Sequence, residues 1–159
     1  MQIQEILITL LMATLGSVGF SIIFYTKPKR LPLAAVAGFV TCAVYLLFKH
    51  LLGGEFFANF IAAFAGAFLS EILARATKAP VPVYLVPCAI PLVPGSMLYG
   101  TMSHFVSGAY AEAGRYAFLT LEVAVGIAGG IIAASVMGLF LRYLLGGRPK
   151  NTPRSQENL

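Results

Sequence analysis

Long apolar runs alternate with short polar interruptions along this chain, and most of the charge sits in the interruptions. Five apolar runs cover residues 3–25, 31–48, 56–74, 81–107 and 116–145. A helix needs ~20 apolar residues to cross a bilayer core of ~30 Å. Backbone in lipid must also satisfy its own hydrogen bonds. The pattern therefore predicts an all-α integral membrane protein of about five transmembrane helices.

The fourth run departs from the pattern because Pro87, Pro91, Pro94 and Gly95 interrupt it. Each proline lacks an N–H and clashes with the carbonyl four residues back, so the carbonyls of Val83, Pro87 and Ile90 lose their helical donors. The spacing predicts a span broken at residues 91–95, with a half-helix restarting behind Ser96 as N-cap. Ser96, Tyr99, Gly100, Ser103 and Ser107 then share one face, expected to look into a cavity or a partner. Two readings stand: a kink closed by neighbouring helices, or a binding site. In the second, first-turn N–H groups would take a carboxylate. The freed carbonyls would take an ammonium or a cation.

Rows of small residues mark where helices are expected to approach closely. Ala34, Gly38 and Cys42 form one in the second run, and Ala62, Gly66 and Ser70 one in the third. Glu122, Gly126, Gly130, Ala134 and Gly138 repeat every four residues in the fifth, a ridge with a carboxylate at its head. Residues 49–55 and 108–115 read as turns, the first hinged at Gly53 and Gly54.

Composition agrees. The chain of 159 residues is 58% hydrophobic and 11% charged, with a mean hydropathy of +0.85, whereas a soluble domain carries ~25% charged residues. No soluble catalytic domain fits, and the net charge of +5 reflects topology rather than nucleic-acid binding. Residues 1–145 form the membrane domain, and residues 146–159 a polar, basic tail expected to be disordered. Cys42 and Cys88 both lie in apolar runs and imply neither a disulfide nor a metal site. Ser96 and His104 are eight residues apart, ~12 Å along a helix, too far for a nucleophile and its base, so no enzyme and no cofactor are expected. His50 and His104 read as interfacial.

Beyond the N-terminal flank Met1 to Glu5, two carboxylates fall inside predicted spans. Glu71 has Arg75 four residues on, the favourable order for a helical ion pair. Glu122 is expected in the first turns of the fifth helix, where the dipole favours a carboxylate. Both are candidates for proton coupling, because a charge within a span costs ~2.5–3.5 kcal/mol at the centre and less near an end. With five spans, Lys27, Lys29, Arg30, Arg75, Lys78, Arg142, Arg148, Lys150 and Arg154 share one side, leaving only Lys49 and Arg115 opposite. The positive-inside rule then places the C-terminus in the cytoplasm and the N-terminus outside. Positive charge follows the first run rather than preceding it, unlike a secretory signal peptide.

The run Ile90-Pro91-Leu92-Val93-Pro94-Gly95-Ser96-x-x-Tyr99 resembles the bacterial threonine/serine exporter family, and in particular the small subunit of its split form. Val18-Gly19-Phe20 with Phe24, the basic loop 27–30 and the Arg142…Arg148-Pro149 ending are similar too. The resemblance implies an inner-membrane exporter, driven by the proton gradient and working with a larger subunit of the same family. It would move small carboxylate-bearing metabolites such as threonine, serine or a dicarboxylate such as succinate. The family's motif maps onto Pro91, Pro94, Gly95, Ser96 and Tyr99, the expected substrate contacts. Five spans is an odd number, so a five-span partner beginning inside and ending outside would make an inverted repeat with its site between the halves. The alternative is a non-transporting assembly or regulatory subunit, and homo-oligomers remain compatible.

Overall fold

A computed structural model describes residues 3–144, and every regular element in them is helical. Helix α1 spans Ile3–Ile23, α2 Leu31–Leu52 and α3 Glu55–Thr77. Next come α4, Pro82–Ala89, a 3-10 turn over Ile90–Leu92, α5, Gly95–Val106, and α6, Tyr110–Leu144. Four helices are long and apolar enough to cross a membrane alone, and the α4–α5 pair, bent by 49°, makes up a fifth. The fold is thus the expected multi-pass helical one with a broken fourth span. The tail expected from residue 146 lies outside the described residues.

The connections explain the boundaries. Pro28 opens a 3-10 turn and Pro32 sits in the first turn of α2, where a missing N–H is harmless. Gly53 ends α2 at φ 67°, a left-handed conformation that glycine adopts without a Cβ penalty, and Gly54 leads directly into α3. That turn is shorter than expected, because α2 runs on through Lys49 and His50 to Leu52. Lys78 closes α3 in a left-handed cap, its N–H donating to the carbonyls of Ala74 and Arg75. Arg30 Nη2 donates to the Thr77 carbonyl at 3.1 Å, satisfying another open helix end. The turn expected over residues 108–115 is also shorter: Gly108 turns at φ 78° and α6 starts at Tyr110.

Packing follows the small rows. Ala34, Gly38 and Cys42 are buried, as are Ala62, Gly66 and Ser70. A Cβ on Gly38 would overlap the Ser17 side chain, and one on Gly66 the Thr41 hydroxyl. Gly126 and Gly130 press directly on α3. A Cβ at Gly126 would stand 2.9 Å from the Phe56 carbonyl oxygen, and one at Gly130 2.9 Å from the Phe64 nitrogen. In lipid no hydrophobic gain drives helices together, so this close approach is what holds α3 to α6.

The same contacts fix the direction of α6. Gly126 faces Phe56, Gly130 faces Phe60 to Phe64, and Gly138 faces Glu71. The numbers rise together, so α3 and α6 run parallel. Two parallel spans need an odd number of crossings between them, so α4–α5 crosses once instead of turning back on itself.

Candidate functional site

The two halves of the broken span have opposite surroundings. Helix α4 packs among α1, α2 and α3, whereas α5 packs on α6. Tyr84, Pro87 and Cys88 of α4 are buried. No residue of α5 is, and Tyr99 is 76% exposed.

Neighbouring groups take up two of the three carbonyls freed by the prolines. Ser17 Oγ, from α1, donates to the Pro87 carbonyl at 2.9 Å. The Val93 N–H donates to the Ile90 carbonyl at 3.2 Å. Ser70 Oγ donates to Cys88 Sγ at 3.1 Å. The carbonyls of Pro87 and Ile90 therefore each accept a hydrogen bond from within the chain, leaving one lone pair apiece. The first half of the break is a closed kink.

The second half opens onto space. A cavity of ≈ 160 Å³ lies against the break, far above the ~10–15 Å³ that admits one water. From the broken span, Pro91, Pro94, Ser96 and Met97 line it. Across from them stand Tyr45 of α2, Glu55 and Asn59 of α3, and Val123 of α6. The proline chemistry creates this opening: Val93 is extended (φ −60°, ψ 124°) between the 3-10 turn and α5, so the chain steps sideways instead of filling the gap.

Helix α5 begins two residues earlier than expected. Pro94 occupies the N-cap position with no side-chain cap, and Gly95 is the first helical residue. Ser96 is therefore not the N-cap but lies in the first turn. The Gly95 N–H donates to Val93 O at 2.8 Å and that of Leu98 to Pro94 O at 3.0 Å. Between them, the amides of Ser96 and Met97 are the first-turn donors that helix geometry leaves without an intrahelical acceptor, and both residues line the cavity.

The other predicted positions scatter. Gly95 and Tyr99 are outside the lining, and Ser103 and Ser107 are exposed. Gly100 faces α6, where a Cβ would stand 2.9 Å from the Tyr116 ring, and His104 stacks on that ring at 5.2 Å. The face expected to look inward thus meets the cavity only at Ser96. Glu71 is buried, paired with Arg75 and lodged against Gly138, where a Cβ would overlap its carboxylate. It lies sixteen residues from Glu55, ~24 Å along α3, so it does not reach this cavity. Glu122 is half-buried beside the lining residue Val123 and makes no hydrogen bond or ion pair among the described residues. It sits ~3 turns into α6 instead of in the first turns, because α6 starts early.

Sequence reasoning missed the polar wall opposite the break. Tyr45, Lys49, Glu55 and Asn59 looked like an ordinary helix end and turn. Lys49 Nζ lies 3.0 Å from Glu55 Oε1, Tyr45 Oη donates to Glu55 Oε2 at 3.1 Å, and Asn59 Nδ2 donates to the Glu55 carbonyl at 2.8 Å. The one available signal was spacing: Tyr45 and Lys49 are four apart at one helix end, as are Glu55 and Asn59 at the facing start.

No curated protein matches the chain, and no solved structure does. A family description, "Threonine/Serine exporter, ThrE", matches residues 9–137. That match takes in the broken span, the cavity and the parallel α3–α6 pair. It places the chain among transport proteins. With its multi-pass helices and its opening beside a ruptured span, the chain belongs to the threonine/serine exporter family.

Proposed function

We propose that the chain is a membrane subunit of a proton-coupled exporter in the bacterial inner membrane. It moves small amino acids such as threonine and serine, or a small dicarboxylate such as succinate, together with a larger subunit of the same family. The observation that carries this reading is the cavity of ≈ 160 Å³ where the fourth span is broken. A Pro/Gly-interrupted segment near mid-membrane is where transporters of this kind hold substrate.

In this reading the amides of Ser96 and Met97 and the Ser96 hydroxyl receive the substrate carboxylate, aided by the positive end of the α5 dipole. Pro91, Pro94 and Gly95 hold the opening apart, and Tyr99 reaches substrate from the partner-facing side. Glu122, half-buried and one residue before the lining Val123, carries the coupling proton. Glu71, held by Arg75 toward the other end of α3, serves the same relay at the cytoplasmic face. The N-terminus lies outside and the C-terminus inside, which reporter fusions at the two termini test.

The decisive experiment is efflux of labelled threonine, serine and succinate from cells with and without this chain, with and without the larger subunit, and carrying Ser96→Leu or Gly95→Leu. Efflux lost with assembly intact is the expected result. Unchanged efflux contradicts the reading, and loss of assembly alone favours a scaffold.

A further inference from the structure

The turn between α2 and α3 brings a cation, a phenol and a carboxylate to the wall of the cavity. Lys49 Nζ contacts Glu55 Oε1 at 3.0 Å and donates to Tyr45 Oη at 3.0 Å. Tyr45 Oη donates to Glu55 Oε2 at 3.1 Å. The three groups close a ring. Tyr45 and Glu55 line the cavity, and Lys49 touches both of them from outside its lining. The lysine side chain is 41% exposed and the glutamate 21%. An ion pair this open adds little stability. The Gly53–Gly54 turn and the small-residue packing already join α2 to α3, so the ring is not needed as a fastener.

We propose that Lys49, Tyr45 and Glu55 form a charge latch: Glu55 is the contact for the substrate ammonium, and Lys49 holds that carboxylate while the site is empty. This rests on the export reading above. A zwitterion brings an ammonium to replace Lys49 on Glu55. Its carboxylate meets the amides of Ser96 and Met97 on the opposite wall, so one charge is exchanged for an equal one. A dianion has no ammonium to replace Lys49 on Glu55, so the latch stays closed and the second carboxylate gains no partner from Glu55. The latch therefore selects zwitterionic amino acids over dicarboxylates, and so separates the two substrate classes named above.

The test is efflux of labelled threonine and labelled succinate from cells expressing the full chain at its native locus. The variants are Glu55→Gln, the reversed pair K49E/E55K, and Met97→Trp, which fills the cavity. Glu55→Gln should cut threonine efflux about tenfold or more, as loss of a charge-assisted contact implies, and should narrow the preference over succinate. The reversed pair restores the ion pair and the amount of folded chain in the membrane, but puts a cation where the ammonium binds, so threonine efflux stays low. A pair that only tied α2 to α3 would be repaired by reversal. Recovered threonine efflux in K49E/E55K therefore overturns the latch, as does wild-type efflux in Glu55→Gln. Met97→Trp keeps the two readings apart. If it blocks efflux while Glu55→Gln does not, the latch falls and the cavity stands. If it leaves efflux untouched, the cavity is not the route and the latch falls with it.

Discussion

Ser17 decides how the fourth span survives its prolines. Pro91 removes the donor that the Pro87 carbonyl needs, and the Ser17 hydroxyl of α1 supplies another at 2.9 Å. Gly38 makes room for it, since any Cβ there would overlap the Ser17 side chain. Ser17→Ala should leave a buried carbonyl unsatisfied and cost ~1–3 kcal/mol. Unfolding of the purified protein in detergent checks this; a loss well under 1 kcal/mol would mean that water reaches the carbonyl instead. The freed carbonyl was legible in the sequence, because proline chemistry is local. Its partner was not: seventy positions separate Ser17 from Pro87, and a serine in an apolar run commonly bonds its own helix; the single Ser17 hydroxyl proton is shared between the Pro87 carbonyl and that of Ala13, also at 2.9 Å. The ring of Tyr45, Lys49 and Glu55 escaped notice for a similar reason. Its members lie on two helices, and only the fold of the turn brings them against the break.

At the scale of elements, the α3–α6 pair shows what was legible and why. Close packing of helices in lipid requires small residues at a fixed spacing, so the row Gly126, Gly130, Ala134, Gly138 announced an interface. It did not announce the partner or the direction. The contacts with Phe56, Phe60 and Glu71 settle both, and the parallel course that follows makes α4–α5 a single crossing. Gly130→Leu should force the two helices apart at the Phe60–Phe64 backbone, where even a Cβ finds no room. Overpacking of this kind costs ~1–3 kcal/mol or more. The expected readout is a lower yield of folded protein and a lower detergent melting temperature, and an unchanged melting temperature would argue against this register. The start of α6 is not legible in the sequence, because the Gly- and Ala-rich stretch before Tyr116 reads as a turn although only Gly108 has a left-handed backbone there. That shift moved Glu122 from the helix end to a place about three turns in.

At the scale of the molecule, the two halves of the broken span divide the labour. Helix α4 is locked among α1, α2 and α3, while α5 leans on α6 and leaves Leu98, Met102, Phe105 and Val106 exposed. One half is anchored, the other is free to meet lipid or a second subunit, and the cavity lies at their junction. The central claim is that this junction is a watery route for a small solute. Single cysteines test it most directly, in a chain whose own thiols are removed (Cys42→Ala, Cys88→Ser). The variants are Ser96→Cys and Met97→Cys at the cavity, and Ile132→Cys on the outward face of α6, where Ile132 is 63% exposed. With a membrane-impermeant thiol reagent, the account predicts rapid labelling at positions 96 and 97, slowed by threonine, and none at 132. Labelling at 96 and 97 as slow as at 132, and indifferent to threonine, would contradict it.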